Sequence, residues 1–308
     1  MADETRCGFV ALIGAPNVGK STLINALVGA KVAIVSHKVQ TTRALLRGIA
    51  TEGAAQLVFI DTPGIFAPKR RLDRAMVTNA WSGAHDADIA AVLIDAKRGL
   101  DDEAESIFER LADVRQPKKP KLLLINKVDL VEKPALLALV KAANDKAASG
   151  GAAFAATFMI SALTGDGVAD VKRWLAEQAP VGPWHYPEDQ ITDAPLRQLA
   201  AEVTREKLYL RLHQELPYQS TVETEVWKEL KDGSTRIEQT IYVERESQRK
   251  IVLGKGGATI KAIGAEARRE IAEMIEAPVH LFLFVKVRER WGDDPERYRG
   301  MGLEFPKE

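Results

Sequence analysis

A single cysteine, Cys7, occurs among 308 residues. No intramolecular disulfide can form, a composition that suits a reducing compartment. Net charge is missing too, because 43 basic side chains are matched by 43 acidic ones. That excludes a polycation, so any nucleic-acid contact must come from a local patch. No apolar run reaches the ~18–20 residues that span a bilayer. Residues 1–7 lack the apolar centre of a secretion signal. The five histidines (His37, His85, His185, His213, His280) are scattered, and none pairs with Cys or Asp at ligand spacing. No protein-built metal site is therefore expected. No internal repeat is visible.

What is present points to two domains, at roughly 100–200 residues each. The apolar fraction of 46% is enough to build their cores. Up to residue 178, short apolar runs alternate with helical patterns. Strands are predicted at 8–13, 44–50, 56–60, 89–94, 121–125 and 155–160. Helices are predicted at 20–28, 72–81, 101–111, 134–145 and 168–178. Near-continuous apolar strands between helices indicate an α/β domain with a mostly parallel sheet covered on both faces. Three prolines and a glycine in residues 179–187 break this pattern and mark a boundary. Beyond it the order is helix (194–214), two strands (221–230, 235–243), short helix (247–252), glycine loop, helix (258–275) and strand (279–287), an α+β domain. Alternation in the two middle strands is only partly clean. The polar end, from Arg290 on, reads as a tail packed loosely or not at all. The expected limits are 1–180, a linker at 181–194, 195–290, and a tail at 291–308.

Four motifs follow strand ends in the first domain. Gly14-Ala15-Pro16-Asn17-Val18-Gly19-Lys20-Ser21, with Thr22 after it, fits G-x-x-x-x-G-K-S between a strand and a helix. Backbone N–H groups in such a loop curve round a β-phosphate, and the helix N-terminus adds its positive end. Lys20 would reach phosphate oxygens, and the Ser21 hydroxyl would ligate magnesium. In Asp61-Thr62-Pro63-Gly64, Asp61 can hold the magnesium and the Gly64 N–H can sense a γ-phosphate. In Asn126-Lys127-Val128-Asp129, the Asp129 carboxylate can accept from guanine N1–H and the 2-amino group, a pair that adenine lacks. Lys127 would brace the phosphate loop, and Ser161-Ala162-Leu163 would support the base. In order and at these positions, the four specify a GTP-binding domain. Thr42, in preference to Thr41, is expected to complete the magnesium shell, which makes residues 33–43 a mobile switch and residues 65–71 a second one. Where many GTPases place a water-orienting glutamine this chain has Ile65, so slow unaided hydrolysis is expected.

The second domain carries Gly254-Lys255-Gly256-Gly257, a G-x-x-G loop with apolar flanks. Residues 247–265 hold Arg249, Lys250, Lys255 and Lys261 and no acid. A loop of this kind in a KH module clamps about four nucleotides of single-stranded RNA.

Together these segments resemble the Era family of bacterial ribosome-assembly GTPases. The resemblance runs through the Gly14 loop, Gln40-Thr41-Thr42-Arg43, Tyr186-Pro187-Glu188-Asp189-Gln190-Ile191-Thr192-Asp193, Glu215-Leu216-Pro217-Tyr218, Val243-Glu244-Arg245-Glu246, the Gly254 loop and Glu276-Ala277-Pro278-Val279-His280-Leu281. It implies a Ras-like P-loop GTPase domain followed by a type II KH domain, with GTP or GDP and magnesium bound. It implies catalytic roles for Lys20, Thr42, Gly64 and Asn17, the last holding an activating potassium ion; a simple turn former is the other reading of Asn17. The implied partner is the 3′ end of 16S ribosomal RNA in the small (30S) subunit during its assembly. The implied setting is a cytoplasmic monomer with peripheral association at the inner membrane. The competing readings are a GTPase of another RNA pathway, such as tRNA modification, and an RNA chaperone with little turnover. Only one phosphate loop is present, and Lys20, Ser21, Asp61 and Asp129 are all intact, which argues against both.

Overall fold

The strands of the first half are almost wholly apolar, so they need cover on both faces, and the sequence supplies helices for each. In a computed structural model, residues 4–36, 46–66, 68, 71–113, 119–212, 216–289, 291, 294, 295, 298 and 303–305 are described. Of the described residues, those in 4–33, 46–193 and 303–305 form one unit, and those in 34–36 and 194–298 form the other.

The first unit is built on a six-stranded sheet. Its strands are β1 (Arg6–Gly14), β2 (Leu46–Glu52), β3 (Ala55–Asp61), β4 (Ile89–Asp95), β5 (Lys121–Asn126) and β6 (Ala156–Ile160), in the order β2-β3-β1-β4-β5-β6. All pairs are parallel except β2–β3, a hairpin at the edge. The helices are α1 (Lys20–Val28), α2 (Arg71–Asp86), α3 (Asp102–Asp113), α4 (Lys133–Ser149) and α5 (Val168–Gln178). One face of the sheet offers Ala11, Ile13, Val92, Ile94, Leu123 and Ile125 to Trp81 of α2, Phe108 of α3 and Leu136 of α4. α1 and α5 pack on each other and on β3. Burying one such side chain stabilises by about 1.5–3 kcal/mol, so this two-sided core is the main force holding the strand ends in place.

The proline-rich segment is no free linker in its first part. Cys7 N–H donates to Pro180 O, Gly182 N–H to Thr5 O, and Ile49 N–H to Ile191 O. The fully buried Gln56 of β3 accepts from the N–H groups of His185 (2.9 Å) and Tyr186 (3.0 Å), and its amide donates to Tyr186 O. Prolines cannot continue a central strand, but one polar side chain satisfies the backbone groups they leave.

The second unit contains α6 (Leu196–Arg211), β7 (Ser220–Glu229), β8 (Thr235–Val243), α7 (Glu246–Leu253), α8 (Ala258–Met274) and β9 (Val279–Val287). Its sheet runs β7-β8-β9, with β7–β8 antiparallel and β8–β9 parallel. α6 and α8 pack together over it. The imperfect alternation has a physical cause: Thr224 faces Gln239 and Val226 faces Glu238, so Glu225 is the extra residue of a bulge. The expectation of a loosely packed tail is corrected at three of its described residues. Trp291, Tyr298 and Leu303 are buried, and the Trp291 indole donates to Gln219 O at 2.9 Å.

Candidate functional site

Parallel pairing places the C-terminal ends of β1, β3, β4, β5 and β6 along one edge. Leu12 is in register with Asp61, Asp95 with Asn126, and Asn126 with Ile160. Four motifs that are far apart in sequence therefore share one edge.

The loop after Gly14 ends at Gly19, whose φ of 102° turns the chain into α1 at Lys20. Lys20 is buried, and its ammonium donates to Gly14 O (3.0 Å) and Ala15 O (2.9 Å). Burial pushes its pKa down to about 8, against the pull of the Asp61 and Glu103 carboxylates. The Ser21 hydroxyl donates to Asp61 Oδ2 at 3.0 Å. The turn after β3 closes on the loop, with Ile65 N–H donating to Gly14 O at 3.0 Å. A Cβ at Gly64 would stand 2.9 Å from Pro16 atoms, so only glycine allows that approach. Ile65 and Phe66 lean on the apolar core.

On the other side, Asn126 is buried and joins two motifs to its own. Its amide donates to Val18 O (2.8 Å), and its Oδ1 accepts from Ala162 N–H (2.9 Å). Lys127, at a φ of 65°, donates to Asn17 O and to Asp95 Oδ2, both at 2.6 Å. Asp129 is exposed on the short turn that follows. Ser161 is buried and its Oγ accepts from Thr164 N–H, while Leu163 is exposed. The sequence reading did not single out Asp95. The available signal was an acid at the C-terminal end of an apolar strand on the same edge. Thr41 and Thr42, and most of the first switch, lie outside the described residues.

The downstream loop sits between α7 and α8. Gln248 Oε1 accepts from the N–H groups of Glu244 and Arg245, which starts α7. Gly254 ends it at a φ of 71°, and a Cβ there would collide with the Thr259 hydroxyl and stand 2.9 Å from Thr259 Cβ and N. Lys250, Lys255, Gly256 and Lys261 are exposed, and Ile251 presents an apolar side chain beside them. Arg249 is less available, because it donates to Val285 O and pairs with Glu246. Among the described residues no cluster of His, Cys, Asp or Glu could hold a metal, and no helix is long and apolar enough to cross a membrane.

Comparison with known proteins agrees with both halves. The family described as 50S ribosome-binding GTPase matches residues 9–127, and the KH domain family matches residues 215–292. GTPase Era of Bradyrhizobium sp. (strain ORS 278) is 72% identical over 304 residues, covering 99% of this chain and 96% of its own. GTPase Era of Afipia carboxidovorans is 71% identical over 307 residues, covering 100% and 97%. A crystal structure of Era in complex with MgGDPNP and nucleotides 1506–1542 of 16S ribosomal RNA superposes with a TM-score of 0.89 at 36% identity, covering 97% of this chain and 99% of that one. The Ras-like domain with its mostly parallel sheet and the C-terminal KH domain are thus both accounted for, and the chain belongs to the Era family of GTPases.

Proposed function

We propose that this chain is a GTP-hydrolysing switch that binds the 3′ end of 16S ribosomal RNA and assists assembly of the small ribosomal subunit. Similarity along the whole chain to the Era protein complexed with MgGDPNP and a 16S fragment supports the partner. One observation carries the nucleotide reading. The Gly14 loop, Asp61 and the Asn126–Asp129 turn share one sheet edge and are joined by Ser21, Asn126 and Lys127.

In this reading the N–H groups of residues 14–20 receive the phosphates, and Lys20 exchanges its two carbonyl acceptors for phosphate oxygens. Ser21 and Asp61 are hard oxygen donors 3.0 Å apart, a pair that fits magnesium, with Thr42 as a further ligand. Bound there with the nucleotide, magnesium supplies positive charge to the β- and γ-phosphates. Gly64 senses the γ-phosphate. Ile65 offers no group to orient water, which fits slow turnover, and Asn17 would hold an activating potassium ion. Asp129 reads guanine, with Lys127, Val128 and the Ser161–Leu163 segment around the base.

Lys255, Gly256 and their neighbours receive the RNA backbone. The GTPase domain takes residues 1–180 and the KH domain 195–290, with the linker and tail at 181–194 and 291–308. We place the protein in the cytoplasm as a monomer, with peripheral contact at the inner membrane.

Base recognition is the sharpest test. Asp129→Asn puts an amide donor where guanine offers donors of its own and xanthine offers a 2-oxo acceptor. Preference for GTP over XTP should drop by at least about 100-fold, measured as the ratio of kcat/KM values. Unchanged selectivity would remove Asp129 from the site.

A further inference from the structure

The carboxylate of Asp95 is buried at the C-terminal end of β4, directly in register with Asn126, the first residue of the guanine motif. Both of its oxygens are used. Oδ1 accepts from Lys97 N–H at 2.9 Å, and Oδ2 accepts from the Lys127 ammonium at 2.6 Å. Ala96 N–H donates to Asn126 O at 2.8 Å, so the two strand ends are held together beside this contact. Lys127 divides its ammonium between Asp95 and the carbonyl of Asn17 in the phosphate loop. Lys127 and Asn17 both have positive φ, at 65° and 63°. Such backbone persists in non-glycine residues only where the surroundings fix it.

We propose that Asp95 is a positioning residue for nucleotide binding. It anchors the Lys127 ammonium, and through it sets the Asn17 corner of the phosphate loop and the turn that carries Asp129. The inference rests on the guanine-nucleotide reading of the same edge. Lys127 ends in three N–H donors on a flexible four-carbon stem. Without a fixed carboxylate, one carbonyl does not hold such a group in a single place. Asp95 is itself oriented by the Lys97 backbone, so it is a rigid anchor rather than a mobile surface partner. A carboxylate–ammonium hydrogen bond at a partly buried position is also stronger than a neutral one.

Four proteins decide it: wild type, Asp95→Asn, Lys127→Met and the double variant. Dissociation of a fluorescent GDP analogue is followed in each by stopped flow. Asp95→Asn keeps the shape and removes the charge. It should release GDP roughly tenfold faster than wild type, the scale of one charge-assisted hydrogen bond. In the Lys127→Met background the same change should alter release by less than about twofold, because the group through which Asp95 acts is gone. RNA affinity measured at saturating nucleotide should not move. Unchanged release in Asp95→Asn overturns the proposal. So does the same acceleration in both backgrounds, which would mean that Asp95 acts independently of Lys127. Should Asp95→Asn fail to fold, Asp95→Glu keeps the charge and displaces it by one methylene, and the same cycle applies. A failure of the guanine reading would appear separately, as wild-type protein that does not retain the GDP analogue at all.

Discussion

Lys20 differs sharply from its free form. Its ammonium is enclosed with two carbonyl acceptors, and burial brings its pKa to about 8 from an ordinary 10.5. A bound phosphate would restore the charged form, so nucleotide binding takes up a proton wherever free Lys20 is neutral. The direction follows. Below about pH 8 both states carry the proton and affinity is flat. Above it, affinity falls by up to tenfold per pH unit until the pKa of the complex is reached. Calorimetry of GDP binding between pH 7 and 9, in buffers of different ionisation enthalpy, should show proton uptake growing across that range. Affinity that is level to pH 9 with no uptake would mean that Lys20 does not meet the phosphates. The same shift bears on folding. A buried lysine with a lowered pKa is a cost that is fully present below pH 8 and is relieved between about 8 and 10.5, so this one contribution to stability rises with pH in that window. At this scale the sequence was informative wherever a motif fixed both residue and neighbour. Lys20, Ser21, Asp61 and Asn126 all lie on one edge, as motifs at or just after strand ends require. Asp95 escaped notice because a lone acid after a strand has no pattern of its own. Its meaning comes from Lys127, 32 positions away, which only strand register brings near.

Among the elements, the strands of the first unit were legible because their composition is extreme, and the helices less so at their ends. The helix predicted at 72–81 continues through Gly83 to Asp86. A glycine costs a helix about 1 kcal/mol against alanine, and burial of Trp81 and Ala84 outweighs it. The proline-rich segment was legible as a boundary but not as a packed strip. Nothing local to it reports that Gln56, about 130 residues earlier, will satisfy its backbone. Gln56 gives the element-scale prediction. Gln56→Ala removes four hydrogen bonds at a fully buried position, three to the strip and one from the Cys7 thiol. The strip should loosen by about 2 kcal/mol or more, roughly a 30-fold rise in its open population. Limited proteolysis at residues 183–190 should accelerate accordingly while the GDP-bound core stays intact. An unchanged cleavage rate would show that the strip is held by its other contacts.

For the molecule as a whole, a GTPase fold and a KH fold in one chain make sense if nucleotide state controls RNA binding. The fold class of each unit was readable from order and composition, since alternating apolar strands and helices leave few topologies. The tail was not, because Trp291, Tyr298 and Leu303 are spaced by polar residues and show no period. The KH loop was readable as a glycine turn with local positive charge. The structure qualifies it by engaging Arg249 with Val285 and Glu246, which leaves Lys250, Lys255 and Lys261 as the exposed cations described around it. The most direct measurement is the affinity of the full-length chain for a single-stranded RNA with the sequence of the 16S 3′ end. It is made with GDP, with a non-hydrolysable GTP analogue and without nucleotide, and repeated on a variant carrying Lys255→Asp and Gly256→Asp. The account predicts binding at least about fivefold tighter with the GTP analogue than with GDP, in the range of ordinary coupling between two sites. It predicts that the double variant loses RNA affinity and keeps its affinity for GDP. Equal RNA affinity in all three nucleotide states, or full affinity in the double variant, would contradict it.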